Sequence, residues 1–266
     1  MSRSAETTFS SDLVTLEVLE GHIALVTLNR PLARNAINAE MANAMEGIVS
    51  RTEADHSVWV VVLTGTGQDV FCAGADLKEV AAGRAASLFT RNGFAGFVDA
   101  ERRKPWIAAV NGKALAGGCE IALACDLVIA AENASFGLPE VSRGVLAAAG
   151  GLFRLPRALA RNIAIEMAIT GDSIDAARGV ELGLVNRMVP HQRLVEKALT
   201  LAARITRNSP IAVRESLHII RQAADLDTAS LRELTRQCRD RVAISEDYKE
   251  GPRAFVEKRP PRWTGC

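Results

Sequence analysis

The chain has 266 residues, with 32 lysines and arginines against 31 aspartates and glutamates and a net charge of +1. Its composition, 48% hydrophobic and 24% charged, is that of a globular protein, and near-neutrality argues against a strong nonspecific hold on nucleic acid or acidic membranes. A chain this long can bury roughly 70–75% of its unfolded surface, so it needs no disulfide or metal staple. The longest apolar stretch, from Gly144 to Phe153, is far below the roughly 18 residues of a membrane span.

Several chemistries drop out with the cysteines and histidines. Cys72, Cys119, Cys125, Cys238 and Cys266 are odd in number and match neither a CxxC pair nor a zinc ribbon. Reduced, mostly buried thiols in a cytoplasmic protein are the expectation. His22, His56, His191 and His218 are scattered, so no metal site and no obvious histidine base is expected. Residues 1–12 are polar, lack an apolar core and read as a short disordered lead rather than a signal peptide.

In chain order, Leu13–Val18 and His22–Leu28 read as a hairpin about Glu20-Gly21. From Asn38 to about Thr52, Met41, Met45 and Ile48 recur at helical spacing. Val58–Leu63 is an uninterrupted apolar run, suited to a strand buried on both faces. Trp106–Val110 and Leu127–Ala131 are two more such strands, each followed by a glycine-containing connection and a helical stretch. Arg193–Arg207, Pro210–Ala224 and Thr228–Val242 read as three helices, with Leu194, Ala198, Leu201 and Ile205 on one face of the first. The expected organisation is a mixed α/β core over 13–190 and a helical region over 191–266.

Three segments carry chemistry. In Ala73-Gly74-Ala75-Asp76-Leu77-Lys78, small residues let a ligand approach unpaired N–H groups at a helix start. Gly117-Gly118 places free amides and the positive end of a helix at one point, with Glu120 one turn inside among apolar neighbours. Glu140 follows Pro139 at another helix start. Alone, these are equally an ordinary tight loop, a dipole-favoured acid and a plain N-terminal acid. Together they offer backbone donors for an oxyanion and two carboxyls for acid–base work, without serine or histidine. That set suits an enolate beside a carbonyl better than peptide hydrolysis.

The text around these segments is similar to the crotonase (enoyl-CoA hydratase/isomerase) superfamily over nearly the whole chain. The matching stretches are Leu28–Ile37, Phe71–Glu79, Ala109–Ala130, Phe136–Glu140 and Glu246–Pro261. The resemblance implies an α/β fold of ββα units wound into a spiral, followed by a helical trimerisation region. It implies a lyase of fatty acid metabolism acting on an acyl-CoA, whose thioester oxygen accepts from the Ala75 and Gly117 amides. Ala73, Gly74, Asp76, Leu77, Lys78 and Gly118 would line the substrate, and Phe255 and Lys258 would reach a neighbour's coenzyme A (CoA) site in a trimer or dimer of trimers. Glu120 and Glu140 correspond to the two catalytic glutamates of the hydratases, which need no cofactor beyond the substrate's own CoA. Asn92–Phe97, Asn133–Glu140 and the tail resemble the carnitinyl-CoA dehydratase (crotonobetainyl-CoA hydratase) branch, whereas Gly144–Gly151 departs from the Pro-Gly loop common in β-oxidation hydratases. An isomerase using one glutamate is the nearest alternative. A non-catalytic RNA- or protein-binding member, with Arg204, Arg207, Arg214 and Arg221 as a basic strip for RNA, is the alternative of another class, and the net charge weighs against it. Phe89, Phe94 and Phe97 are candidates to wall a short or medium acyl site.

Overall fold

The computed structural model of the protein describes residues 10–266. Residues 1–9 of the expected lead lie outside the described residues, and Ser10–Ser11, expected within it, instead form a short strand antiparallel to Val14–Leu19. The expected hairpin follows, with Val14–Leu19 against Ile23–Leu28. Gly21 and His22 turn it in the left-handed region, at φ 79° and 67°.

From Ile23–Leu28 the pairing becomes parallel, through Val60–Gly65, Trp106–Val110, Leu127–Ala131 and Arg187–Val189, which completes a seven-stranded sheet. Every residue of Val60–Gly65 and of Trp106–Val110 is buried. Alternate side chains go to opposite sides. Val61, Leu63, Ala108 and Val110 enter the main core with Met41, Met45 and Ile48 of the helix Ala39–Ala54. Val60, Val62, Ile107 and Ala109 meet Leu194, Ala198 and Ala202 of the helix Leu194–Thr206. Continuous apolar strands thus follow from cover on both faces. The boundary expected near residue 190 is not one of packing, because the first helix beyond it belongs to the core.

A second, four-stranded sheet was not legible in the sequence. Its order is Ser173–Asp175, Ser135–Gly137, Lys113–Leu115, Val70–Cys72, with the last three parallel to one another. Each of those three follows a long strand of the first sheet after a short turn and runs into a helical segment. This is the repeated ββα unit expected above, and it has one consequence for function. The ends of Val70–Cys72, Lys113–Leu115 and Ser135–Gly137 are side by side, so the segments that follow them converge.

Beyond the core lie the helices Pro210–Gln222, Thr228–Ala243 and Glu246–Val256. The first two match expectation; the last was missed, since Gly251-Pro252 hides a helix capped by the Ser245 side chain. Among the described residues no helix is long and apolar enough to cross a membrane.

Candidate active site

The first converging segment is stitched to its neighbour before it meets any ligand. The Ala73 N–H donates to the Arg34 carbonyl (3.1 Å), the Ile37 N–H to Gly74 (2.8 Å) and the Asp76 N–H to Ile37 (2.8 Å). This ladder skips the Ala75 N–H. Asp76 caps the helix Leu77–Ala81 by accepting from the Lys78 N–H (2.9 Å), and its other oxygen accepts from Arg30 Nη1 (2.6 Å). Burial works to raise the pKa of Asp76, but the Arg30 and Lys78 bonds hold it below its ordinary value. Its carboxylate is therefore committed to the loop's own shape rather than open to a substrate.

The second segment enters the helix Gly117–Ala124 through Ala116, whose φ of 52° and ψ of −130° are rarely adopted by an L residue. Such strain persists where surrounding structure enforces it, and it marks functional turns. Gly117, as the first helical residue, has no intrahelical acceptor for its N–H. Gly74, at φ 87°, backs onto it so closely that a Cβ on Gly74 would stand 2.8 Å from the Gly117 nitrogen. At Gly118 a Cβ would run into the Cys72 carbonyl. The two amide-bearing loops thus touch backbone to backbone, which only glycine permits.

Glu120 is 2% exposed on that helix. One of its oxygens accepts from the Gly151 N–H at 2.9 Å. Burial raises its pKa, against the hydrogen bond from Gly151. Glu140 is 8% exposed on the short helical turn Pro139–Arg143. Its Oε2 is buried without a hydrogen-bond partner. A buried unpaired carboxylate is costly, so the group holds its proton more tightly. Burial first, and the negative charge of Glu120 second, push Glu140 up to about 7. Cys119, beside them, is raised by burial and remains a thiol. The arrangement is a carboxyl anchored by a backbone amide and, within reach of its charge, a second carboxyl with one buried oxygen left without a partner.

Other expected residues fall elsewhere. Leu77 and Lys78 are exposed at the rim of the first loop, and Phe255 (83% exposed) and Lys258 lie at the end of the last helix with no hydrogen bond to these loops. Of the three phenylalanines, Phe94 presses its ring edge onto Gly117, whereas Phe97 is fully buried against Trp106. Phe97 is core, and Phe94, though beside Gly117, is buried in the same cluster, with the exposed Phe89 at its edge, ring centroids 5.5 Å apart. The basic strip does not form one open face, because Arg221 grips Asp126 and Arg214 is drawn to the Gly265 carbonyl.

Sequence reasoning missed Gly151, where a Cβ would meet the Glu120 Cγ at 3.0 Å. It also missed Arg154, whose charge opposes the rise in the Glu120 pKa and which donates to the Ala149 carbonyl at 2.9 Å. The Gly150-Gly151 pair was the available signal. Asn35 and Asn111 were missed as well; both donate to the Val70 carbonyl and so tie down the strand that leads into the first loop.

The sequence matches the model of the Enoyl-CoA hydratase/isomerase family over residues 19–266. The chain belongs to this family. It is 42% identical to the mevalonyl-coenzyme A hydratase of Aspergillus fumigatus, covering 99% of this chain and 98% of that protein. It is 40% identical to the carnitinyl-CoA dehydratase of Proteus mirabilis over 92% of this chain and 96% of the other. Its fold superimposes on the crystal structure of an enoyl-CoA hydratase from Mycobacterium tuberculosis H37Rv with a TM-score of 0.91, at 41% identity and with 96% and 100% of the two chains covered.

Proposed function

We propose that the protein is a hydro-lyase that adds water reversibly across the C2=C3 bond of a 2-enoyl-CoA thioester, giving a 3-hydroxyacyl-CoA. The observation that carries this reading is the carboxyl pair: Glu120 anchored by the Gly151 N–H, and Glu140 with a free buried oxygen and a pKa near 7. The water oxygen bonds to C3 and gives its proton to Glu120. The C2=C3 electron pair moves into the thioester as an enolate, whose oxygen accepts from the Ala75 and Gly117 N–H groups. C2 then takes a proton from Glu140, and the proton on Glu120 passes back to reset the pair. Each oxyanion donor is typically worth roughly 3–4 kcal/mol at such a transition state. The step balances with water and two carboxyls, so we assign no cofactor beyond the CoA of the substrate.

Relatives named as a hydratase and a dehydratase, on different acyl groups, support the same exchange of water on this scaffold. Phe94 against Gly117 supports a short or medium acyl chain. Lys78 at the rim is assigned to the CoA phosphates, with Phe255 and Lys258 serving a neighbour's site in a trimer or dimer of trimers. The exposed apolar residues Ile244, Phe255 and Val256 support such an assembly. All five cysteines are free, which fits a reducing cytoplasm.

Hydration of crotonyl-CoA by Glu120→Gln and Glu140→Gln tests the mechanism. Both changes should collapse turnover while CoA-ester binding survives, since the oxyanion donors belong to the backbone. An isomerase would depend on one glutamate only. A Glu140→Gln enzyme that hydrates within about threefold of the parent, against the factor of 100 or more usual for lost proton transfer, would sink the two-glutamate mechanism.

A further inference from the structure

Between the core and the C-terminal helices lie two adjoining cavities of about 610 and 520 Å³, which share Ala100, Arg102 and Arg221 as walls. Neither is lined by Glu120 or Glu140. The larger is walled by five arginines, Arg102, Arg103, Arg214, Arg221 and Arg241, against the acids Glu101 and Glu215. Three of the five are paired. Arg103 and Arg241 share Glu215 at 3.1 and 2.6 Å, and Arg221 holds Asp126 with Nε and Nη2 at 2.8 and 2.7 Å.

Among the described residues, no acid lies at ion-pair distance from Arg102 or Arg214. Arg102 donates from Nη2 to the Ala124 carbonyl (2.6 Å) and lies against the Cys125 sulfur, and Arg214 donates from Nη2 to the Gly265 carbonyl (3.2 Å). Arg102 Nε and Nη1 and Arg214 Nε are buried without a partner. The nearby Glu53 does not supply one: its Oε2 accepts from the Arg103 N–H at 2.9 Å and its Oε1 is itself unpartnered. Burial draws both arginine pKa values down. The Arg102 guanidinium is also fixed in orientation, lying over the Phe97 ring at 4.0 Å.

We propose that this cavity binds a small oxyanion, a carboxylate or phosphate group, between Arg102 and Arg214. Unpaired guanidinium donors in a desolvated wall are costly, and a planar fork answers an oxyanion with charge-assisted, often bidentate bonds. Because Arg102 comes from the core and Arg214 from the helix Pro210–Gln222, an occupant would also clamp that helix in place. Two sources share this chemistry. One is a free anion from solvent. The other is a carboxylate at the far end of an acyl chain, since the smaller cavity is walled by Leu123 and Ala124 at the end of the helix that carries Glu120, and by Arg154. Only the second source rests on the hydratase reading.

The test uses the full chain and two arms. In the first, thermal unfolding is followed while inorganic phosphate replaces chloride at constant ionic strength. The parent should show a saturable rise in Tm that Arg102→Met and Arg214→Met both lose and Arg204→Met, outside the cavity, keeps. In the second, KM is compared for crotonyl-CoA and for an enoyl-CoA bearing a terminal carboxylate. If the acyl chain supplies the anion, Arg102→Met raises KM for the carboxylated thioester by about tenfold, the scale of one charge-assisted bond, and leaves crotonyl-CoA unchanged. A phosphate effect without that discrimination assigns the site to a free anion. Equal Tm shifts in parent and variants, or none, together with no KM discrimination, overturn the proposal. If Arg102→Met does not fold, Arg214→Met carries both arms. Failure of all hydration with the phosphate effect intact would count against the reaction and not against the site.

Discussion

The spiral core and the three helices from Pro210 to Val256 meet the same burial problem in different ways. In the core, the central strands Val60–Gly65 and Trp106–Val110 have both faces covered, and the site glycines Gly74 and Gly118 are closed in by neighbouring backbone. In the helices, Ile220, Ile244, Tyr248, Phe255 and Val256 stand more than half exposed, while the buried acids Glu215 and Asp247 are each held by several donors. The difference teaches where chemistry can reside. A carboxyl with a raised pKa needs surroundings that cannot rearrange to satisfy it, and the core provides them. The helices satisfy their carboxyls and leave apolar surface open instead.

The widest gap between the two regions should appear when buried acids are neutralised in each. Glu120→Gln and Glu140→Gln should each lower kcat by about 100- to 10,000-fold. The double variant should be little worse than either single one, because the pair acts on one water. Asp247→Asn removes an equally buried acid that accepts from Ser209 Oγ and the Thr264 N–H, both at 2.8 Å. It should lower Tm and leave kcat in place. Steady-state kinetics alongside thermal melts decide the matter, and a kcat loss in Asp247→Asn comparable to Glu140→Gln would erase the distinction.

A glycine comparison comes next in size. Gly151→Ala places a methyl 3.0 Å from Glu120 Cγ and 2.9 Å from Leu138 Cδ1, so the anchor of Glu120 must shift. A small misplacement of a catalytic group costs up to about 100-fold in rate, and kcat should fall by 10- to 100-fold on that scale. Gly251→Ala in the last helix meets only Trp263, at an ordinary 3.4 Å, and should leave kcat unchanged. Equal kcat values for the two variants would show that Gly151 does not position Glu120.

What could be read from the sequence divides along the same line. Trp106–Val110 and Leu127–Ala131 were legible to the residue, because strands covered on both faces are continuously apolar. So were the helices Pro210–Gln222 and Thr228–Ala243 within two residues, from their spacing; the structure adds that Ser209 and Asp227 cap their starts. The second sheet was not, since three-residue strands carry no period. Glu120 and Glu140 stood out as acids in apolar text next to glycine and proline. Gly151 and Arg154 did not, because the Gly150-Gly151 pair marks a tight turn but not the contact with Glu120, about thirty residues away in sequence, on which their roles depend. The Asp76 side chain caps the helix that follows it and is held by Arg30 from 46 residues earlier, a contact that local sequence does not show.

A pH titration separates the regions further. Glu140 titrates near 7 when folded, above the ordinary carboxyl value of 4.5. Between those values the folded protein keeps a proton that the unfolded chain releases. The contribution to stability is therefore full below about 4.5 and lost as pH rises through about 7. For hydration, kcat/KM should decline above about 7 as the proton destined for C2 is lost, and Glu140→Gln should gain Tm relative to the parent as pH rises from about 4.5 to 7 and keep that gain above it. Glu250 behaves oppositely: the Arg259 hydrogen bond holds it down to about 2, so its contribution is present above 4.5 and lost as pH falls toward 2. Glu250→Gln should leave the alkaline decline untouched. A flat profile from pH 6 to 9 for the parent would contradict the assigned proton donor.

The smallest effect on the single chain, and the sharpest on assembly, is expected at the open apolar face. Ile244 is 82% exposed and Phe255 83%. Substituting either by aspartate removes little buried area within one chain, so the intrinsic fold should tolerate it, as surface changes usually do to within about 0.5 kcal/mol. Buried between copies, the same aspartate would be desolvated without a partner and would oppose association. Light scattering should find a trimer or a dimer of trimers for the parent, and smaller species for Ile244→Asp and Phe255→Asp with far-UV circular dichroism unchanged. If Phe255 and Lys258 also serve a neighbour's CoA, Phe255→Asp should raise KM for the thioester while Ile244→Asp, once reassociated at high protein concentration, should not. A parent that remains monomeric at every concentration would leave these residues as plain surface, and the contrast between a closed core and helices awaiting a partner would fall with it.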